Sequence, residues 1–216
     1  MTDTGFELPA PVRLVVADAN VLFSRSLRDY LLIAAEQEII EVCWSPRILA
    51  DMADKLIERR EGFTRQAAER LVDAMSRTFP DALVTPQPQH FARLAGFTLP
   101  DDDDRDVMAT ALAAEATIIC TLNRKHFPPP VMNDLGLTVM GPDDLFTALV
   151  NDYLPQMIAV HRQVVAHFPG ATNQTTLAAL SKAKAPRTAQ RIAAALGLTE
   201  PPASPQPDSR TSDSVS

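Results

Sequence analysis

Cysteine is scarce in this chain, and several other things missing with it narrow the chemistry. Its two cysteines, Cys43 and Cys120, each sit inside an apolar, strand-like run. They read as reduced core side chains of a cytoplasmic protein. No Cys/His spacing of the zinc type occurs. No apolar run approaches the roughly 18 residues that span a membrane. Residues 1–5 lack the basic-then-apolar pattern of a secretory leader. The seven glycines form neither a P-loop nor a Gly-x-Gly-x-x-Gly cradle, and no serine sits in a Gly-x-Ser-x-Gly elbow. Positive charge is in deficit: 20 Lys and Arg against 27 Asp and Glu leave −7. That excludes generic coating of nucleic acid by a basic surface. It leaves open a site that holds cations with carboxylates and meets nucleic acid through them. There is no internal repeat.

What is present suits one α/β domain with an appendage, or two small domains, in 216 residues. Hydrophobic residues make up 46% of the chain, enough for an ordinary core. Val12 to Ala17 is an apolar run that ends on Asp18, and it reads as a buried parallel strand. A helix follows from about Ser24 to Gln37, with Leu27, Leu31 and Ala34 on one face. Ile39–Trp44 is a second strand. Ser45-Pro46 opens a helix to about Arg60, and Thr64 caps another to about Thr78. Residues 80–100 carry four prolines and little regularity, apart from a short helix over 90–96. A third strand covers 116–121, a loop 122–130, and a short edge strand 137–140. This alternation argues a parallel α/β sheet over residues 12–147. Residues 148–198 form a C-terminal helical region, in which the helix over 143–168 is broken or kinked at Pro155. Two shorter helices, 175–183 and 187–196, follow. His161 and His167 are expected on the helix surface. Residues 1–11 read as a flexible arm and 199–216 as a disordered tail.

Three carboxylates fall at topologically similar places. Asp18 ends the first strand, Asp51 lies one turn into the helix after the second, and Asp104 lies in the first turn of the helix before the third. Strand C-termini and the following helix N-termini share one edge of a parallel sheet, where ligands bind. Taken singly, each residue has a plainer reading: Asp18 as a turn cap, Asp51 as a solvated helix residue, and the 101–106 cluster as helix-dipole decoration. Taken together, carboxylates that converge repel one another unless a cation neutralises them. Oxygen donors suit Mg²⁺ or Mn²⁺. Within the cluster, Asp104 borders the inward face with Val107, Met108 and Ala111. Asp101 or Asp102 suits the cap, Asp106 points elsewhere, and Asp103 stays a further candidate. His126 is a candidate base in a loop. Lys182, Lys184, Arg187 and Arg191 make one end locally basic, and Arg187 and Arg191 are candidates for positioning RNA.

Four segments in order, Leu14–Leu22, Trp44–Asp51, Pro100–Val107 and Cys120–Pro128, resemble the successive motifs of PIN domains. The nearest likeness is to VapC-type toxins with an extra C-terminal helical region. The resemblance implies a five-stranded parallel sheet and a metal-dependent endoribonuclease that uses Mg²⁺ or Mn²⁺ to activate water against an RNA phosphodiester. By position it makes Asp18, Asp51 and Asp104 the catalytic metal ligands, with Asp51 where the family usually has Glu. Asn20, Thr121 and Asn123 become polar supports. His126 stands where the family often has Asp. The resemblance further implies a small protein antitoxin and a homodimer, with no membrane association. A housekeeping RNA-processing nuclease and a degenerate, non-catalytic PIN-like binding module are the alternatives. Asp18-Ala19-Asn20-Val21 is also reminiscent of the nucleophile motif of haloacid-dehalogenase-like phosphatases, but Asn20 replaces the acid that chemistry needs.

Overall fold

Strand β1 (Arg13–Ala17) forms from a short run of apolar residues led by Val15 and Val16. Val15, Val16 and Ala17 are fully buried, as a strand covered on both faces requires. The computed structural model describes residues 13–101 and 103–198. The arm expected over 1–11 and the tail over 199–216 lie outside these, as does Asp102. β2 (Ile40–Cys43), β3 (Ile118–Cys120) and β4 (Thr138–Met140) join β1 in parallel, in the order β2-β1-β3-β4. Val15 faces Val42 on one side and Ile118 on the other, and Cys120 pairs with Met140. These are the four strands legible in the sequence.

The sheet thus has four strands among the described residues, where the family resemblance implied five. A fifth lane is present only as a single parallel bridge, Trp44 to Leu83. Trp44 N–H donates to Ala82 O and Val84 N–H to Trp44 O, each at 2.9 Å. Pro80, Pro86 and Pro88 flank that bridge. Proline has no N–H and a fixed φ, so the ladder cannot extend.

Helices fill the connections. α1 (Ala19–Phe23) and α2 (Arg25–Glu36) follow β1, and α3 (Pro46–Arg59) and α4 (Arg65–Thr78) follow β2. Ser45 and Thr64 cap α3 and α4, their hydroxyls each accepting a backbone N–H at 3.2 Å. α5 (Pro88–Ala92) sits slightly earlier than the periodicity suggests. α6 (Asp104–Ala113) precedes β3. The loop expected over 122–130 holds a single 3-10 turn (Arg124–His126) and the start of α7 (Pro129–Leu135). Pro129 and Pro130 sit in the first turn of α7, where a missing N–H costs nothing.

α8 (Pro142–Asp152) and α9 (Leu154–Ala166) break at Tyr153, with Pro155 in the first turn of α9. α10 (Asn173–Lys182) and α11 (Pro186–Ala195) complete the described chain. α9 and α10 pack on α2, and α11 packs on α8 and α10. Leu177, Leu180 and Ile192 belong to the same apolar core as Val15 and Val16. His161 is the correction here: it is fully buried, not on the surface. It continues the stripe Met157, Val160 and Val164, all buried at helical spacing. The hydroxyl of Tyr30 donates to its Nδ1 at 2.5 Å, while its Nε2–H donates to Asn173 Oδ1 at 3.1 Å. Both ring nitrogens are therefore satisfied without solvent.

Candidate metal centre

Strand register sets the centre of the site. Ala17 pairs with Cys120, so the next residues, Asp18 and Thr121, emerge side by side at the carboxyl edge of the sheet. Their backbones are held by Asp18 N–H to Cys120 O at 3.1 Å and Thr121 N–H to Met140 O at 3.0 Å. The Thr121 hydroxyl donates to Asp18 Oδ2 at 2.5 Å. Asn20, in the first turn of α1, donates Nδ2 to the same oxygen at 2.5 Å and to Thr121 Oγ1 at 3.0 Å. Its Oδ1 accepts the Leu122 N–H at 2.9 Å. Asn123 N–H closes the ring of bonds on Thr121 Oγ1 at 3.0 Å. α1 is too short to hold itself, since a single turn is costly to nucleate. Two arginines hold its C-terminal carbonyls: buried Arg28 donates to Leu22 O at 2.6 Å and Arg60 to Phe23 O at 3.2 Å. Nothing in the sequence alone singles them out.

Asp104 opens α6, and its side chain is 12% exposed. His126 Nδ1 lies 2.8 Å from Asp104 Oδ2 and 3.7 Å from Asp101 Oδ2. Asp101 also accepts the Asp103 N–H at 3.1 Å. Asp103 stands at the N-cap position with helical backbone angles and no side-chain cap bond. Asp51 lies on α3 and pairs with Arg47 at 3.0 Å. These groups line one cleft of ≈ 320 Å³ together with Asn20, Asn123, Asp54, Lys55, Glu58 and Asp106.

The structure therefore brings Asp18, Asp51, Asp103, Asp104, Asn20, Asn123 and His126 to one cleft, with Thr121 directly behind Asp18. Asp106 corrects the sequence reading, for it lines the same cleft. It lies about 200° around the helix from Asp104, but α6 contacts α3 as well as β1, and the Arg47 and Asp51 charges of α3 act on Asp106. Arg47 and Lys55 are two cleft residues that sequence reasoning missed. Their signal is legible: they stand four residues before and after Asp51 on α3, on one helical face. Arg187 and Arg191 are not brought to the cleft. Arg187 pairs with Asp143 at 2.9 Å and with Asp144, and Arg191 donates to Asn151 at 2.8 Å.

The electrostatics follow from crowding. Burial pushes the Asp18 carboxyl above the usual carboxylate range, opposed by the Thr121 hydroxyl, the Lys55 charge and nearby backbone N–H groups. Burial also raises Asp104. The His126 bond opposes this, while the charges of Asp18 and Asp101 add to it. Asp106 is raised by burial first and then by Asp51 and Asp103, against Arg47. Eight carboxylates line the cleft against Arg47, Lys55 and one imidazole. Any phosphate anion is repelled from such a cleft until cations enter. The donor set, carboxylate oxygens with one imidazole nitrogen, fits a divalent ion. Asp101, Asp104 and His126 each place a ligand atom within 4.8 Å of the others.

A parallel α/β sheet with acidic side chains gathered at its carboxyl edge defines a fold and a site together, and family comparison agrees. The chain matches the PIN domain model over residues 14–125 and belongs to that family. No curated protein and no solved structure matches it. PIN domains are generally metal-dependent nucleases. No helix among the described residues is long and apolar enough to cross a membrane.

Proposed function

We propose that this chain is a Mg²⁺- or Mn²⁺-dependent endoribonuclease that hydrolyses RNA phosphodiester bonds and acts as the toxin of a toxin–antitoxin pair. The observation that carries the chemistry is the convergence of Asp18 and Asp104 on one acidic cleft, each held by a dedicated hydrogen-bonding partner. Asp18, Asp104 and Asp51 are the residues that hold the cation. A bound divalent ion supplies a lowered pKa for water and neutralises charge on the phosphoryl oxygens. The protein's own part is orientation. Thr121 and Asn20 fix one oxygen of Asp18, and His126 fixes one oxygen of Asp104. Such preorganisation is what a metal site needs to favour the transition state over the substrate.

Partners follow from the same reading: an RNA substrate, a small protein antitoxin and a second copy of the chain, all in the cytoplasm. The decisive experiment is cleavage of RNA by purified protein with and without EDTA, comparing wild type with Asp18→Asn and Asp104→Asn. Loss of cleavage in both folded variants is expected, and wild-type-like cleavage in either overturns the reading. The toxin role is tested by controlled expression, which arrests growth unless Asp104→Asn is introduced. Metal-dependent cleavage without growth arrest points instead to a housekeeping RNA-processing nuclease. One observation favours a non-catalytic PIN-like module, namely that Asp51 is engaged by Arg47. That reading predicts no metal-dependent cleavage of any RNA.

A further inference from the structure

We propose that Asp101, Asp104 and His126 form a mixed nitrogen–oxygen cation position that takes Mn²⁺ and similar transition ions in preference to Mg²⁺. This inference deepens the nuclease reading and rests on it for the presence of a divalent ion in the cleft.

Three separate pieces of chain build the position. Asp104 is the first residue of α6. Asp101 lies three residues earlier, and one of its oxygens accepts the Asp103 N–H at 3.1 Å while the other lies 3.7 Å from the imidazole. His126 ends the 3-10 turn Arg124–His126. That turn is fixed by its own N–H to Asn123 O at 2.9 Å and by the neighbouring Phe127, which is 3% exposed. The backbone that carries the imidazole is therefore placed by the turn and the core, and the ring itself points at Asp104 and Asp101. Its side chain is 20% exposed, so the position opens to the cleft and an ion can enter.

The chemistry of the donors sets the preference. Mg²⁺ demands oxygen ligands and gives up its water reluctantly. Imidazole nitrogen suits borderline transition ions, and affinity at an N/O site rises along the first-row series from Mn²⁺. A neutral imidazole has two tautomers. With the proton on Nδ1 the ring donates to Asp104, as its 2.8 Å contact allows. With the proton on Nε2, the Nδ1 lone pair faces the oxygens of Asp101 and Asp104. Lone pair and carboxylates then share a space that only a cation makes favourable. One nitrogen and two carboxylate oxygens, all within 4.8 Å of one another, can close on a single ion.

The test is equilibrium binding, without RNA, of MnCl₂ and MgCl₂ to the metal-stripped full chain, in wild type, His126→Asp and His126→Gln. It is paired with electron-spin-echo detection of ¹⁴N coupled to bound Mn²⁺. Removing even an outer partner of a metal's ligands costs roughly tenfold or more in affinity. His126→Gln should therefore weaken Mn²⁺ by at least about that factor and Mg²⁺ by less. His126→Asp should keep Mg²⁺ binding while the Mn²⁺ preference collapses. The ¹⁴N coupling should be present in wild type and absent from both variants. An unchanged Mn²⁺:Mg²⁺ ratio in the variants, or no ¹⁴N coupling in wild type, overturns the assignment and leaves the nuclease reading intact. Failure of wild type to bind either ion overturns both.

Discussion

Thr121 donates its hydroxyl to Asp18 Oδ2 at 2.5 Å across 103 residues of sequence. A hydroxyl has one proton and two lone pairs. This one gives its proton to Asp18 and accepts from Asn20 Nδ2 and Asn123 N–H. The bonding capacity of Thr121 is used up in aiming one carboxylate oxygen.

Thr121→Val keeps the shape of the side chain and removes that capacity. Asn20 Nδ2 keeps Asp18 Oδ2, but the Asn123 N–H loses its acceptor in a part-buried place, so about 1 kcal/mol of stability should go with it, read by urea denaturation. RNA cleavage should fall by roughly 10–100-fold, the usual cost of losing such an outer-shell partner. Thr121→Ser should restore most of both. A valine variant that cuts as fast as the serine variant would show that Asp18 needs no such support.

The raised pKa of Asp18 makes a prediction of opposite sign for stability. Its folded-state pKa lies above the unfolded value of 3.8 because of burial. Its contribution to stability is therefore complete below pH 3.8 and is lost as pH rises through the folded value. At neutral pH the ionised carboxylate opposes folding. Asp18→Asn should raise the Tm of metal-free protein, by about 2–4 °C for each kcal/mol relieved, while abolishing cleavage. Differential scanning calorimetry in EDTA checks this, and a lower Tm in the variant would count against a strained carboxylate. Mn²⁺ should raise the wild-type Tm more than that of the variant.

His161 behaves in the reverse sense. Burial holds its pKa below 6.5, the Arg162 charge adds to this, and the Asn173 bond opposes it. Its stabilising contribution is complete above pH 6.5 and is lost as pH falls through the folded value. Protonation would also turn Nδ1 into a donor facing the Tyr30 hydroxyl. The expected outcome is a decline in wild-type stability between neutral pH and mildly acidic pH that is smaller in His161→Gln. Parallel pH-dependent slopes in the two proteins would assign the decline elsewhere. Hydrogen exchange should place the first opening at α9 and α10, which this network ties to α2.

Arg187 and Arg191 offer a test of the RNA-positioning role expected of them. Arg187 is engaged by Asp143 and Asp144, and Arg191 by Asn151. Replacing both with Ala should lower thermal stability slightly by loosening α11 from α8. The slope of log affinity for RNA against log salt should stay unchanged, since the slope flattens by nearly one only when the protein neutralises one phosphate fewer. A flatter slope would return these arginines to the RNA path. The same measurement on Lys55→Ala should show a flatter slope, because Lys55 lines the cleft itself.

Local patterns carry the reading of most elements. Ser45-Pro46 and Thr64 mark helix starts because capping is decided within four residues. The four apolar runs are the four strands. The fifth lane stops at one bridge because the prolines around Leu83 remove the donors it needs, a limit that composition already contains. Polarity alone misplaces His161 on the surface, although its spacing from Met157 and Val164 sets it on the apolar stripe. Asp106 is misplaced for a different reason. A helical wheel describes one helix in isolation and carries no knowledge that α3 stands across from α6.

That Asp18, Asp51 and Asp104 point to the carboxyl edge of a parallel sheet is written in local patterns, because strand direction and helix starts are settled within a few residues. How those groups are held is a matter of tertiary packing. The bonds of Thr121 with Asp18, His126 with Asp104, Arg28 with Leu22 and Arg187 with Asp143 join segments brought together by strand register and helix packing. Distances of that kind depend on where whole elements settle against a common core. No spacing along the chain encodes them.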